Sequence, residues 1–177
     1  NAVVLENVDI TAAVAAVLNS NYANGEKTIT IKDSKLNILG TWVRNNTIKT
    51  TYAFEGDNTI NEFEHEAALD NFQLAANATL AAPENVITVN AVGEYCAIYK
   101  DGKYVSVKAT VKAGNAYYID LQEAIKAAAP AGTVELLSDV TVDKWIMFAE
   151  KMTISDGSLI TLNINGLTID GNDKTLT

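Results

Sequence analysis

From Thr133 onward the chain is a series of short alternating runs: "TVELLSDVTV", "WIMFAEKMTI", "LITLNINGLTI" and "KTLT". The first three are stopped by Asp143, Ser155 and Asp170 after about ten residues, the spacing of short strands joined by turns. A period of two sends every second side chain to one face, so each run offers one apolar face to a core. The same punctuation opens the chain. "AVVLENVDIT" alternates on either side of Glu6-Asn7, "KTITIKDSKLNIL" on either side of Asp33-Ser34, and "TIKTTYAF" closes at Glu55-Gly56-Asp57-Asn58. Asn24-Gly25 marks a further turn. "TAAVAAVLNSNY", residues 11–22, suits a helix by its Ala and Leu content and a buried strand by its apolar continuity. Both readings stay open.

Two segments change period. In "TINEFEHEAALDNFQLAA", residues 59–76, Phe63, Ala67, Phe72 and Leu74 among acids predict an amphipathic helix, ended by Pro83. In "YYIDLQEAIKAAA", residues 117–129, Leu121, Ala124, Ile125 and Ala128 share one helical face. Asp120 stands at the N-cap, Glu123 three residues on completes a capping-box-like pair, and Pro130 and Gly132 stop the helix. Between these segments lie "NVITVNAV", "EYCAIYK" and "KYVSVKATVKA", with Asp101-Gly102 predicting a type I′ hairpin turn. The expectation is one mostly β domain over 1–177. Coil-like strands fill 1–56, a helical segment 57–84, a hairpin region 85–114, and a helix with further strands 115–177.

Composition bounds the function. Apolar residues make up 48% and charged residues 20% of the 177, the balance of a globular chain. A net charge of −9 with Arg44 as the only arginine opposes nucleic-acid binding, which needs clustered cations. No apolar run approaches the roughly 20 residues of a membrane-spanning helix, so no membrane insertion is expected. "NAVVLENVDI" has no starting Met, basic region or long apolar stretch, and reads as a mature or trimmed N-terminus. Cys96 stands alone, which excludes a disulfide framework; between Tyr95 and Ala97 it is expected to be a small buried hydrophobe. Thr and Asn each reach roughly a tenth of the chain, a lean towards extracellular β-structure.

The run "YYIDLQEAIKAAAPAGTVELLSDVTV…ITLNINGLTIDGNDKTLT", about residues 115–177, resembles the opening of right-handed parallel β-helix domains. These are the pectate-lyase-like solenoids of many bacterial surface proteins. The resemblance implies that the "LQEAI" helix caps the first coil, with Leu121 and Ile125 buried against it. Residues 1–56 resemble later coils of the same fold, so "NAVVLENVDI" reads as the continuation of "KTLT". The chain is then a piece of a longer array, a circular permutation, or a subunit whose end stacks on the next subunit's start. The last is favoured. Val3, Leu5 and Val8 at one end and Thr175, Leu176 and Thr177 at the other become the assembly candidates.

Chemical motifs are weak. His65-Glu66 begins like a zinc-binding helix, but Leu69 stands where the second His belongs. Asp139, Asp143, Asp156, Asp170 and Asp173 adjoin turn residues, whose side-chain hydrogen bonding explains them without catalysis. Asp170-Gly171-Asn172-Asp173 matches only the first positions of a calcium loop, so no cofactor is expected and a structural calcium lacks support. Trp42, Trp145 and Tyr95, Tyr99 and Tyr104 could stack sugars, but core or cross-strand packing explains them better. The expected function is a non-enzymatic extracellular structural protein of a surface layer, adhesin or filament. Its partners are further copies of itself or neighbouring domains of a longer surface protein. A module that binds surface glycans and a degenerate polysaccharide lyase are the alternatives.

Overall fold

The computed structural model describes residues 2–12, 17–18, 26–38, 43–44, 50–60, 71–84, 87–128, 132–141, 161–163 and 169–170. These residues are mostly β, with one helix. In place of the expected single domain, the chain divides into two compact units. The first comprises Asn1–Gly93 with Ala97–Val107, and the second Glu94–Cys96 with Lys108–Thr177.

The first unit alternates between sheets in chain order. Its strands are β1 (Ala2–Glu6), β2 (Asp9–Ala12), β3 (Val17–Leu18), β4 (Lys27–Lys32), β5 (Lys35–Ile38) and β6 (Val43–Arg44). They continue with β7 (Thr50–Glu55), β8 (Asp57–Ile60), β9 (Asn71–Leu74), β10 (Thr79–Ala81), β11 (Val89–Ala91), β12 (Tyr95–Lys100) and β13 (Lys103–Lys108). One sheet has the order β1-β4-β7-β9-β11 and is parallel throughout. A second sheet runs β2-β5-β8-β10, also parallel, and is completed by β13 and β12. A third pairs β3 with β6 in parallel.

Register is set by inward side chains. Val3, Ile29, Tyr52, Phe72 and Val89 form one cross-strand row, and Leu5, Ile31, Phe54, Leu74 and Ala91 the next. Ile31, Tyr52, Phe54 and Leu74 are fully buried, and the Tyr52 and Phe72 rings stack with centroids 5.2 Å apart. Leu36, Ile60 and Leu80 line the same core from the second sheet. A one-residue slip would turn these rows outward, so burial fixes the pairing.

Four passages from the first sheet to the second each contain one residue with left-handed backbone. Asn7 (φ 53°), Asp33 (46°), Gly56 (66°) and Asn77 (59°) stand between β1 and β2, β4 and β5, β7 and β8, and β9 and β10. Asn, Asp and Gly tolerate this region best, which explains why those residue types punctuate the alternation. Ser34 joins neighbouring passages: its Oγ accepts the Val8 N–H at 3.2 Å and donates to the Lys32 carbonyl at 2.6 Å. Asn58 Oδ1 accepts the Ser34 N–H at 3.0 Å.

The helical segment expected over 57–84 is corrected: β8, β9 and β10 occupy its described parts, and residues 61–70 lie outside the described residues. Phe72 and Leu74 are buried while Asn71 and Gln73 between and beside them are half-buried, the period of a strand. In the ambiguous 11–22 stretch, β2 extends to Ala12 and Val17–Leu18 forms β3, so the described positions are strand.

The 101–102 hairpin forms as expected between β12 and β13. Asp101 (φ 52°) and Gly102 (79°) both carry the positive φ that a type I′ turn requires. β13 pairs antiparallel with β10, so the hairpin lies along one edge of the second sheet. Tyr99 and Tyr104 pack edge-to-face at 4.8 Å and donate their hydroxyls to the carbonyls of Ala82 and Ile87.

The second unit contains β14 (Val111–Ala113), β15 (Ala116–Tyr118), α1 (Leu121–Ala128), β16 (Thr133–Leu136), β17 (Val140–Thr141), β18 (Thr161–Asn163) and β19 (Ile169–Asp170). Its sheet order is β15-β14-β16-β18; β16 and β18 pair in parallel, as do β17 and β19. The helix starts four residues later than residue 117, because Tyr117 and Tyr118 belong to β15. Asp120 Oδ1 accepts the N–H groups of Gln122 and Glu123 at 2.7 and 3.1 Å, an N-cap that sets this start.

Candidate functional site

The assembly candidates fall on a strand edge of the first unit. Among the described residues β1 pairs only with β4, and β2 only with β5, so within that set both strands stand at the edge of their sheets. Val3 and Leu5 belong to the inward-facing rows, yet Val3 is 50% exposed whereas its neighbour Ile29 is 7% exposed. Leu5 and Val8 are half-buried against the core, as are Ile10 and Ala12. The inward face is therefore well packed up to β4 and thins at β1. Val4, on the opposite face, is 60% exposed. The sequence pattern named Val3, Leu5 and Val8 but passed over Val4, whose signal is its place beside Val3 in an apolar pair. Thr175, Leu176 and Thr177 lie outside the described residues.

Charge is paired along this edge. Lys32 Nζ donates to Glu6 Oε1 at 2.6 Å, and Lys35 Nζ lies 3.8 Å from Asp9 Oδ2. The hydrogen bond from Lys32 to Glu6, and then the Glu6 charge, raise the Lys32 ammonium above its ordinary range. Both pairs are exposed, where such contacts contribute little to stability. They do fix the first strands' acids over the second strands' lysines.

The cap candidates also occupy defined positions. Leu121 is 4% exposed, and Ala124 and Ile125 are fully buried, in a cluster with Val111, Ala113, Val134 and Leu136. In its last turn α1 carries Lys126, whose Nζ reaches Glu123 Oε1 at 3.3 Å. Val134 and Leu136 face the helix from β16.

The remaining motifs do not converge. His65, Trp42, Trp145, Asp143, Asp156 and Asp173 lie outside the described residues. Asp170 is the second residue of β19, the residues after it lie outside the described residues, and Asp139 is exposed before β17. Arg44 sits in β6, paired in register with Leu18. Tyr99 and Tyr104 are committed to each other and to backbone carbonyls. Cys96 is half-buried in β12, more open than a core thiol, and its surroundings still raise the thiol's pKa through desolvation. Among the described residues no group of three or more His, Cys, Asp or Glu could hold a metal ion, and no helix is long and apolar enough to cross a membrane. No family model, curated protein or solved structure matches the chain.

Proposed function

We propose that this chain is a non-enzymatic, extracellular structural subunit of a bacterial surface layer, adhesin or filament, built as parallel β-helix coils. One observation carries the reading. Successive strand–corner–strand segments add to two sheets at once, in parallel and in matching order: β1, β4, β7 and β9 in one, β2, β5, β8 and β10 in the other. A chain that repeats this step winds into coils, and each coil contacts chiefly its neighbours. The capped helix α1, the left-handed corners and the β1–β2 edge all fit that architecture. A coil with an uncovered edge accepts another coil through backbone hydrogen bonds and apolar rows, so the subunit assembles head-to-tail.

The test is particle size against concentration. Solution scattering and negative-stain electron microscopy of the chain are expected to show elongated particles that lengthen with concentration. A compact monomer at every concentration, salt and calcium level overturns the assembly reading. A glycan array and a polyuronate degradation screen are expected to be blank; a hit on either would replace the structural role by binding or lyase chemistry.

A further inference from the structure

We propose that the β1–β2 edge docks a strand–corner–strand coil of a partner chain that carries a lysine on each side of its corner. This rests on the structural-subunit reading above and names the chemistry of the contact.

The apolar rows lose their cover at one end. Ile29, Tyr52 and Phe72 are buried, whereas Val3, next in their row, is half exposed. Ile31, Phe54 and Leu74 are fully buried, whereas Leu5 beside Ile31 is only half-buried. In the second sheet Leu36 is fully buried and its neighbour Ile10 is half-buried. Three rows in two sheets thus thin at the same coil, and one further coil would cover all three. Exposed apolar side chains on an edge strand are a template for another strand.

Charge says what that coil carries. Residues 2–12 hold Glu6 and Asp9 and no cation, residues 27–38 hold three lysines and one acid, and residues 50–60 hold two acids and no cation. The sign therefore alternates from coil to coil. It also alternates along the register: Glu55, Lys32 and Glu6 share one position, and Lys35 and Asp9 another. Glu6 and Asp9 end these lines among the described residues, and both are exposed. A further acid opposite them would be destabilising, whereas a lysine continues the alternation.

Register completes the description. The first coil stacks on the second residue for residue on both sides of the corner, from Ala2 beside Thr28 to Ala12 beside Ile38. The left-handed Asn7 and Asp33 stand at the same place in each. Continued outward, this register asks for apolar residues beside Val3, Leu5 and Ile10, and for Asn, Asp or Gly beside Asn7. Lysines fall beside Glu6 and Asp9. The segment Ile29-Thr30-Ile31-Lys32-Asp33-Ser34-Lys35-Leu36 has this pattern and already meets β1–β2 from the inner side. Parallel strands carry evenly spaced ladder groups, so the same pattern suits the outer side.

The experiment uses the full chain and a fluorescent peptide spanning residues 26–38. Fluorescence anisotropy is expected to show saturable binding. A peptide carrying Lys32→Glu and Lys35→Glu is expected to bind at least about tenfold more weakly. The full chain carrying Glu6→Lys and Asp9→Lys is expected to reverse that preference. The neutral pair Glu6→Gln and Asp9→Asn, which adds no repulsion beside Lys32 and Lys35, is expected to abolish it. Equal binding of both peptides to the parent chain, or a preference that survives the neutral pair, overturns the proposal. No binding by a parent chain that forms elongated particles also overturns it, and the structural-subunit reading stands. No binding by a parent chain that stays monomeric overturns both.

Discussion

Asp33 Oδ1 occupies the space that a Cβ on Gly56 would need, and from there it accepts the N–H of Asp57 at 2.9 Å. Asp57 Oδ1 in turn accepts the Thr79 hydroxyl at 2.7 Å. Three successive corners are thereby joined through side chains, and the middle one works because it has none. Gly56→Ala is expected to cost about 1–3 kcal/mol for its positive φ alone, and more because the Asp33 carboxylate must move. Gly56→Ala combined with Asp33→Ala should cost less than the sum of the two single changes. Urea unfolding checks this; additive losses would mean that the two residues do not share space.

Leu121→Ala and Ile125→Ala should each cost about 2–5 kcal/mol, the range for truncating a buried Leu or Ile in a core that cannot collapse. Both side chains are almost completely buried against β14 and β16. The same variants are expected to bind a hydrophobic dye as the covered strands open. An unchanged melting temperature in both would show that the helix is not a cap.

Asp120→Ala removes the acceptor of two N–H groups and should cost roughly 0.5–2 kcal/mol, whereas Asp120→Asn should retain most of the stability. Thermal unfolding of the two variants side by side separates a cap from a merely acidic surface position.

Ser106 is 4% exposed, and its Oγ has no hydrogen-bond partner among the described residues. Burying a lone hydroxyl is unfavourable by about 1–3 kcal/mol, so Ser106→Ala should be neutral or stabilising. A clear loss of stability on denaturant unfolding would reveal a polar contact made by this hydroxyl.

Burial raises the Cys96 thiol above its ordinary range. Its alkylation rate should therefore climb at higher pH than that of a free thiol, which iodoacetamide labelling of the native and urea-unfolded chain will resolve. The sign for stability follows from the same shift. The folded state holds the thiol's proton more tightly, so any contribution is intact below the ordinary thiol pKa and declines as pH rises through it.

Much of this architecture was legible in the residues. Asp101-Gly102 predicted its hairpin because only such a pair enters the positive-φ region twice at low cost. Asp120, Leu121 and Ile125 predicted the capped helix because cap and apolar face agree. Residues 57–84 misled because Phe72 and Leu74, two apart, lie beside Phe63 and Ala67 in a window rich in helix-forming Ala and Glu. Parallel pairing decided the outcome there: Phe72 falls in line with Tyr52, and Leu74 with Phe54. Local propensity carries no information about such partners. The exposure of Val3 beside a buried Ile29 was equally invisible, since both look like inward members of alternating runs.

The parallel registers of the first unit have a kinetic consequence. Ala2 pairs 26 positions along the chain with Thr28, Thr28 pairs 23 positions on with Thr51, and Thr51 pairs 20 positions on with Asn71. Each closure links a segment to the next one made, never to a distant part of the chain. The entropy of loop closure is therefore met in similar, modest increments. Folding can begin at the aromatic pair of β7 and β9 and spread outward strand by strand, as in a one-dimensional lattice. Hydrogen-exchange protection should then grade from Phe54 and Phe72 at the centre down to Val3, making β1 the first strand to open and the last to close.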